Sequence, residues 1–555
     1  MLNRFWLGVA LALGATSQAA PSVPYGHADF LPTPDQPLGY RGDGSGVYPG
    51  ATPPLHFDEQ SGRNLRWAVK IPKVWSHSPP VVVGQKVIIE AEPDTTLCVD
   101  ADTGRIVWQD SLGLLATPTG GWDLHSGNGY STASSDGAAV YRLFSGRPVD
   151  AARKGNSLLV SYDLDGKRRW LVQTTGMGNL QAPLLIGGRL VAIRRSGPRV
   201  SPLVAYDTAS GRVSWEATGC DMDKDEPNPW GAGDGCLVRV RLNARDLLLN
   251  PGGWCIDPQT GKRLARTLPM QVANGRRYHP MGASAGNFST PVVRHNDDGS
   301  ATVLFCGDDP KGLVYGEEKG PFVYVPPDAD TTAEPWASKR TRWAVRVLAC
   351  RLSVDGDGQI RSQPLWKQPA SVQMETSGGM WPHLALCGDR VAVLNVKGQI
   401  AVLDLKTGRL LGKDFQPIYA CEYKTAVSKY KWDTPELIAA REEYALTEEV
   451  AFGKGGGRNM ETSLARMART AYARSAVDSR NYLWLAHRWG EFYVLELTDE
   501  GFRQVAHNRV NHPICWCSHA APVFHGNRLY YRTWGHLYCF DNAGGPSAPE
   551  KASAP

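Results

Sequence analysis

The chain has 555 residues, enough for a large core or several domains. Hydrophobic residues make up 42% and charged residues 21%, an ordinary globular balance that excludes a disordered or fibrous chain. The formal net charge is only +5 and no Lys/Arg block stands out, which excludes a nucleic-acid partner.

In chain order, the first element is a targeting segment. Arg4 supplies the positive end, Phe5 to Leu13 an apolar stretch, and Ser17-Gln18-Ala19 small residues at the cleavage positions. Cleavage near Ala19 implies a periplasmic or secreted protein. The apolar run is too short for a permanent anchor, and no later run is long and apolar enough to span a bilayer. Residues 20–60 are rich in Pro and Gly and read as an extended N-terminal arm.

A phrase then recurs. Asp100 to Trp108 reads DADTGRIVW, Asp163 to Trp170 DLDGKRRW, Asp207 to Trp215 DTASGRVSW, Asp257 to Leu264 DPQTGKRL, and Asp404 to Leu411 DLKTGRLL. Each copy follows short alternating apolar runs broken by Gly and Asp turns, the pattern of strands. Counted through residues 61–542, these units give eight repeats. A unit of this size cannot bury its own face, so the copies must pack on one another. The eighth copy, Ala520 to Asp541, lacks its final strand, and the missing piece stands before the first copy as Asn64 to Val69. That split repeat predicts a closed ring in which the N-terminal strand completes the last blade.

Cys98, Cys255 and Cys539 occupy matching strand positions, with Ser161 and Ala205 in the same slot elsewhere; such thiols read as small buried fillers. Residues 417–474 break the repeat. They contain TPELIAAREEYALTEE, which has a capping Asp433 or Thr434 and a proline suited to the first helical position, and predict a helical insertion between repeats six and seven. Residues 543–555 read as a disordered tail.

The Gly turn between two inner strands, followed by Asp-x-x-Thr-Gly-x-x-x-Trp, resembles the PQQ-like (quinoprotein alcohol dehydrogenase-like) β-propeller repeat. The resemblance implies an all-β, eight-bladed propeller in which Trp67, Trp108, Trp170, Trp215 and Trp366 dock one blade onto the next. The family holds quinone-dependent dehydrogenases and also a scaffold lipoprotein of β-barrel assembly that binds no quinone, so the fold does not fix the chemistry. A dehydrogenase of this kind needs a planar slot for PQQ, Ca²⁺ held by oxygen ligands, and a carboxylate base. The chain has no adjacent cysteine pair, only Cys515-Trp516-Cys517, and no haem-attachment motif. The Asp297-Asp298-Gly299 and Asp355-Gly356-Asp357-Gly358 runs read as tight turns rather than Ca²⁺ loops.

Superposing the repeats brings several side chains to one mouth of the ring. The lead-ins to the innermost strands carry His77, His125, His383 and His519, and the loops between second and third strands carry Glu92, Arg194, Arg488, Trp489, Arg532 and Trp534. Concave, convergent places of this kind take ligands. No catalytic set and no metal-ligand spacing is legible in them. The expectation is a monomeric, non-catalytic scaffold of the cell envelope, binding an envelope protein or a carbohydrate and holding no cofactor. The alternatives left open are a PQQ- and Ca²⁺-dependent dehydrogenase of alcohols or sugars, and a polysaccharide lyase or hydrolase.

Overall fold

The computed structural model describes residues 24–542 except 28–29, 34–35, 72–77, 118–130, 153–154, 178–181, 195–201, 218–235, 268–270, 274–275, 279–289, 309–341, 367–369, 376–382, 395–398, 418–473, 487–489, 511–519 and 534. The expected signal peptide, the helical insertion and the C-terminal tail lie outside these residues.

The described residues form eight antiparallel up-and-down sheets arranged as the blades of a propeller, with a separate two-stranded hairpin, Gln271–Ala273 and Arg276–Tyr278, between blades 4 and 5. Blade 1 shows the unit: Val81–Val83, Lys86–Ala91, Thr95–Asp100 and Ile106–Ser111, numbered outward from the axis. Blade 2 runs from Ser134 to Thr174, blade 3 from Leu184 to Ala217, blade 4 from Val238 to Arg266, and blade 5 from Val292 to Pro364. Blade 6 spans His383 to Pro417, blade 7 Arg474 to Arg509, and blade 8 Val523 to Asp541. Leu65–Lys70 completes blade 8 by pairing with His536–Asp541, with Trp67 opposite Cys539 and Lys70 opposite His536. The ring is therefore closed by the strand that the split repeat predicts. Blade 5 carries an extra strand, Ala370–Glu375, along the first half of Arg342–Val354.

The recurring phrase has a direct physical role. Asp100 accepts the Thr103 N–H at 2.8 Å and the Thr103 hydroxyl at 2.8 Å; Asp404 treats Thr407, and Asp207 treats Ser210, in the same way. This pins the turn so that the next residue sits in the left-handed region, where glycine alone is unstrained: φ is +76° at Gly104 and +72° at Gly408. The same glycine is the landing pad for the preceding blade's tryptophan. A Cβ at Gly104 would lie 2.8 Å from Trp67, at Gly166 2.6 Å from Trp108, at Gly211 2.7 Å from Trp170, at Gly261 2.8 Å from Trp215, and at Gly408 2.5 Å from Trp366. Each indole N–H then donates to a carbonyl of that next blade, at Ala101, Leu164, Thr208, Pro258 and Leu405, over 2.9–3.1 Å. Opposite the indoles on the third strands stand Cys539, Cys98, Ser161 and Ala205, side chains small enough to leave room. Cys98, Cys255 and Cys539 are buried free thiols, and desolvation pushes each up to about 12.

The arm is not a loose leader. Gly26 N–H donates to Asp136 O at the first turn of blade 2, and Leu38 O accepts from Ser135 N–H on that blade's innermost strand. Gly44 then lies against Val238, and the Arg41 guanidinium reaches Leu384 O, so both touch the starts of innermost strands, in blades 4 and 6. The chain returns beside the innermost strand of blade 7, where Val47 bridges Val477 in parallel. It leaves over the turns of blades 7 and 8, with Ser479 N–H donating to Ala51 O and Thr52 N–H to Gly526 O. The arm thus enters the axis from the end where first and second strands turn, reaches the opposite ends of the inner strands, and comes back out.

Candidate functional site at the axis

Because strands alternate in direction, the lead-ins and the loops between second and third strands share one end of the ring. Of the residues expected there, His77, His125, Arg488, Trp489, His519 and Trp534 lie outside the described residues. Glu92, Arg194, His383 and Arg532 are described.

Arg532 ends the second strand of blade 8 and is fully buried, with its Nη1 2.8 Å from Glu90 Oε1 on the second strand of blade 1. Glu90 is shared. Arg142, on the second strand of blade 2, places Nη2 3.0 Å from its other oxygen. Ser78 donates its N–H to Glu90 at 3.2 Å and also its hydroxyl. Arg142 further donates to Ser131 O at 2.8 Å and lies over the Phe144 ring. Burial lowers the pKa of both guanidiniums, and the Glu90 charge, with a smaller part from Glu92, opposes this. Glu92 is itself buried in this group. One carboxylate between two arginines thus ties blades 8, 1 and 2 where the ring is closed by the N-terminal strand. A buried pair of this kind is costly to break from one side, by about 3–5 kcal/mol, since the remaining charge is stranded.

Arg194 goes elsewhere. Its guanidinium pairs with Glu216 on the outermost strand of blade 3, so it points toward the rim. His383 opens the innermost strand of blade 6 and faces the axis beside Arg41 of the arm. Two contributors escaped the sequence reading. Arg142 carried a signal, a lone charge inside the apolar run AVYRLFS. Arg41 carried none, because only the path of the arm brings it to the axis.

The same geometry tests the quinone and its Ca²⁺. Asp94, next to this group, is fully buried and accepts the N–H groups of Gly113, Leu114 and Leu115 at 3.0, 2.6 and 2.8 Å. These three main-chain donors take most of its acceptor capacity, two on Oδ2 and one on Oδ1, and tie it to the turn that follows the outermost strand of blade 1. Glu90 is likewise consumed by two guanidiniums and Ser78. In the acidic turns, Asp355 accepts from Asp357 and Gln359 N–H and from Arg361, and Asp298 from Ser300 and Arg351. Glu90, Asp94, Asp298 and Asp355 are therefore all engaged by protein donors, which does not fit them as the ready oxygen ligands of a Ca²⁺-bound quinone.

A family model described as outer membrane protein assembly factor BamB, of the PQQ_2 type, matches residues 55–305. No curated protein matches the chain. Among solved structures, BamB from Moraxella catarrhalis is 12% identical, covering 86% of this chain and 99% of its own, with a TM-score of 0.46. Quinohemoprotein alcohol dehydrogenase from Comamonas testosteroni is 11% identical, covering 94% and 83%, with a TM-score of 0.39. The described residues thus form an eight-bladed β-propeller, and residues 55–305 of it match the PQQ-like repeat family.

Proposed function

We propose that the chain is a non-catalytic scaffold of the cell envelope that holds a protein partner, in the manner suggested by the assembly-factor family its first half matches. The observation that carries this reading is the match of residues 55–305 to the BamB family model. The chemistry at the axis supports it. The buried carboxylates Glu90 and Asp94 bond to arginines and main-chain N–H groups that hold the ring together, which favours a structural part for them over that of base or metal ligand. The targeting segment supports the envelope as the compartment.

Two measurements on the mature protein test this. Crosslinking in intact cells, read by mass spectrometry, is expected to trap a β-barrel protein or a member of its assembly machinery. Thermal denaturation with PQQ and Ca²⁺ is expected to give an unchanged midpoint. Saturable stabilisation by the pair, about 2.7 kcal/mol at a hundredfold excess over Kd, together with dye-linked oxidation of an alcohol, would overturn the scaffold in favour of a dehydrogenase.

A further inference from the structure

The axis holds a second polar group that plays no part in ring closure. His383 is the first residue of the innermost strand of blade 6, and its Nε2 is buried with no hydrogen-bond partner. A buried polar atom left this way costs about 1–3 kcal/mol and calls for an occupant. Beside it the arm delivers Arg41, a buried side chain whose Nη2 donates to Ser45 O at 3.2 Å and to Leu384 O, next in sequence to His383, at 3.3 Å. The guanidinium packs closely over Gly46, where a Cβ would stand 2.6 Å from Arg41 Nη2. Arg474 opens the innermost strand of the adjacent blade 7. Its charge and that of Arg41 both act on His383 and on the Tyr40 hydroxyl, which is bonded to the Thr290 side chain.

We propose that His383 and Arg41, with Arg474 alongside, form a binding site for a small oxyanion at the axis, where the innermost strands of blades 6 and 7 begin. The donor set is of the right kind. Guanidiniums recognise carboxylate and phosphate oxygens through paired N–H groups, and desolvation strengthens such bonds. Burial first, then the two arginine charges, push the His383 imidazole well below its usual range, so it stays neutral without an anion. Asp43, two residues past Arg41 in the arm, is turned back onto Ser45 N–H and hydroxyl. The site is independent of the scaffold reading, since it concerns the axis and not the partner surface.

The test uses the full mature protein and two probes, inorganic phosphate and acetate, at constant ionic strength against chloride. Thermal midpoints and titration calorimetry give affinity, and long-range ¹H–¹⁵N spectra of the histidine rings report Nε2. Expected is saturable stabilisation by one or both probes with a shift of the His383 ring signal. Phosphate acting alone would assign a tetrahedral ligand, and acetate acting alone a carboxylate. Arg41→Met and His383→Leu should each weaken binding by about tenfold or more, the worth of a charged hydrogen bond. His383→Asn, which keeps a polar tip, guards against a folding defect, because it should retain the unliganded midpoint and still lose the ring signal. Stabilisation no greater than with chloride would overturn the proposal, as would equal affinity in wild type and Arg41→Met. Nε2 would then face only water.

Discussion

The seams between blades solve one packing problem in two ways. At five of them, from blade 8 to 1, 1 to 2, 2 to 3, 3 to 4 and 5 to 6, a tryptophan lies on the next blade's turn glycine and donates to its main chain. At the other three the tryptophan position holds Ala265, Gly412 or Ala506. The first of these three, between blades 4 and 5, is bridged by the Arg241 N–H donating to His295 Nε2 at 3.0 Å and by Ser362 donating to Thr267 O. In the second, the chains meet directly, for a Cβ on Gly412 would stand 2.1 Å from Glu500 O. In the third, Phe57 of the arm fills the gap, its ring 4.3 Å from Phe540 and 5.2 Å from Phe492, while its N–H donates to Asn508. A seam thus needs filled volume and satisfied main chain, and tryptophan is one means among several.

Deleting residues 61–70 should break the comparison altogether. It removes Trp67, the closing strand and the Arg66 pairs to Asp102 and Asp541, and leaves Cys539 and Tyr538 without their strand partners. The expected result is loss of cooperative unfolding by circular dichroism, or insoluble protein. Next in size are Trp108→Ala and Phe57→Ala, each expected to cost about 3–5 kcal/mol by urea denaturation. Near-equal losses would establish the arm phenylalanine as the functional equivalent of a docking tryptophan; a loss under about 1 kcal/mol for Phe57 would reduce the arm to a passenger.

A glycine series sharpens the contrast further. Gly412→Ala meets a fixed carbonyl and Gly166→Ala an indole that can tilt, so the first should be the more damaging. Both should exceed Gly84→Ala, which has open space around it and only its φ of +58° to strain, at about 1 kcal/mol. The smallest effect concerns acid. His295 accepts a main-chain N–H through Nε2, and desolvation with the Arg239 and Arg241 charges pushes its pKa down to about 4 from 6.5. Its folded form binds a proton less readily than its unfolded form, so stability should decline as pH falls from 6.5 toward 4 and level off below. The decline should vanish in His295→Asn; persistence there would assign it to other groups.

Legibility followed the range of each interaction. The Asp-x-x-Thr-Gly turn, the alternating strands and the tryptophan four residues past the glycine are local, so the blade and its docking residue could be read from the chain. The split eighth repeat made the closure legible too, although its partners are some 470 positions apart, since Trp67 meets Cys539. The mouth was read less well. Arg532 and Glu92 entered a buried charge group with Glu90 and Arg142, and Arg194 turned to the rim to meet Glu216. Repeat position tells which end of a strand a residue occupies. It does not tell which neighbouring blade supplies its counter-charge.

The sequence by itself determined the eight repeats, their strand order, the ring closure and five docking tryptophans, because each follows from short-range spacing copied around an axis. The tertiary structure alone decided the route of the arm through the axis, the use of Phe57 in place of a tryptophan, and the meeting of Arg41 with His383. Those depend on where residues distant in the chain arrive once the ring has closed. A proline- and glycine-rich segment with no periodicity of its own carries no record of its destination.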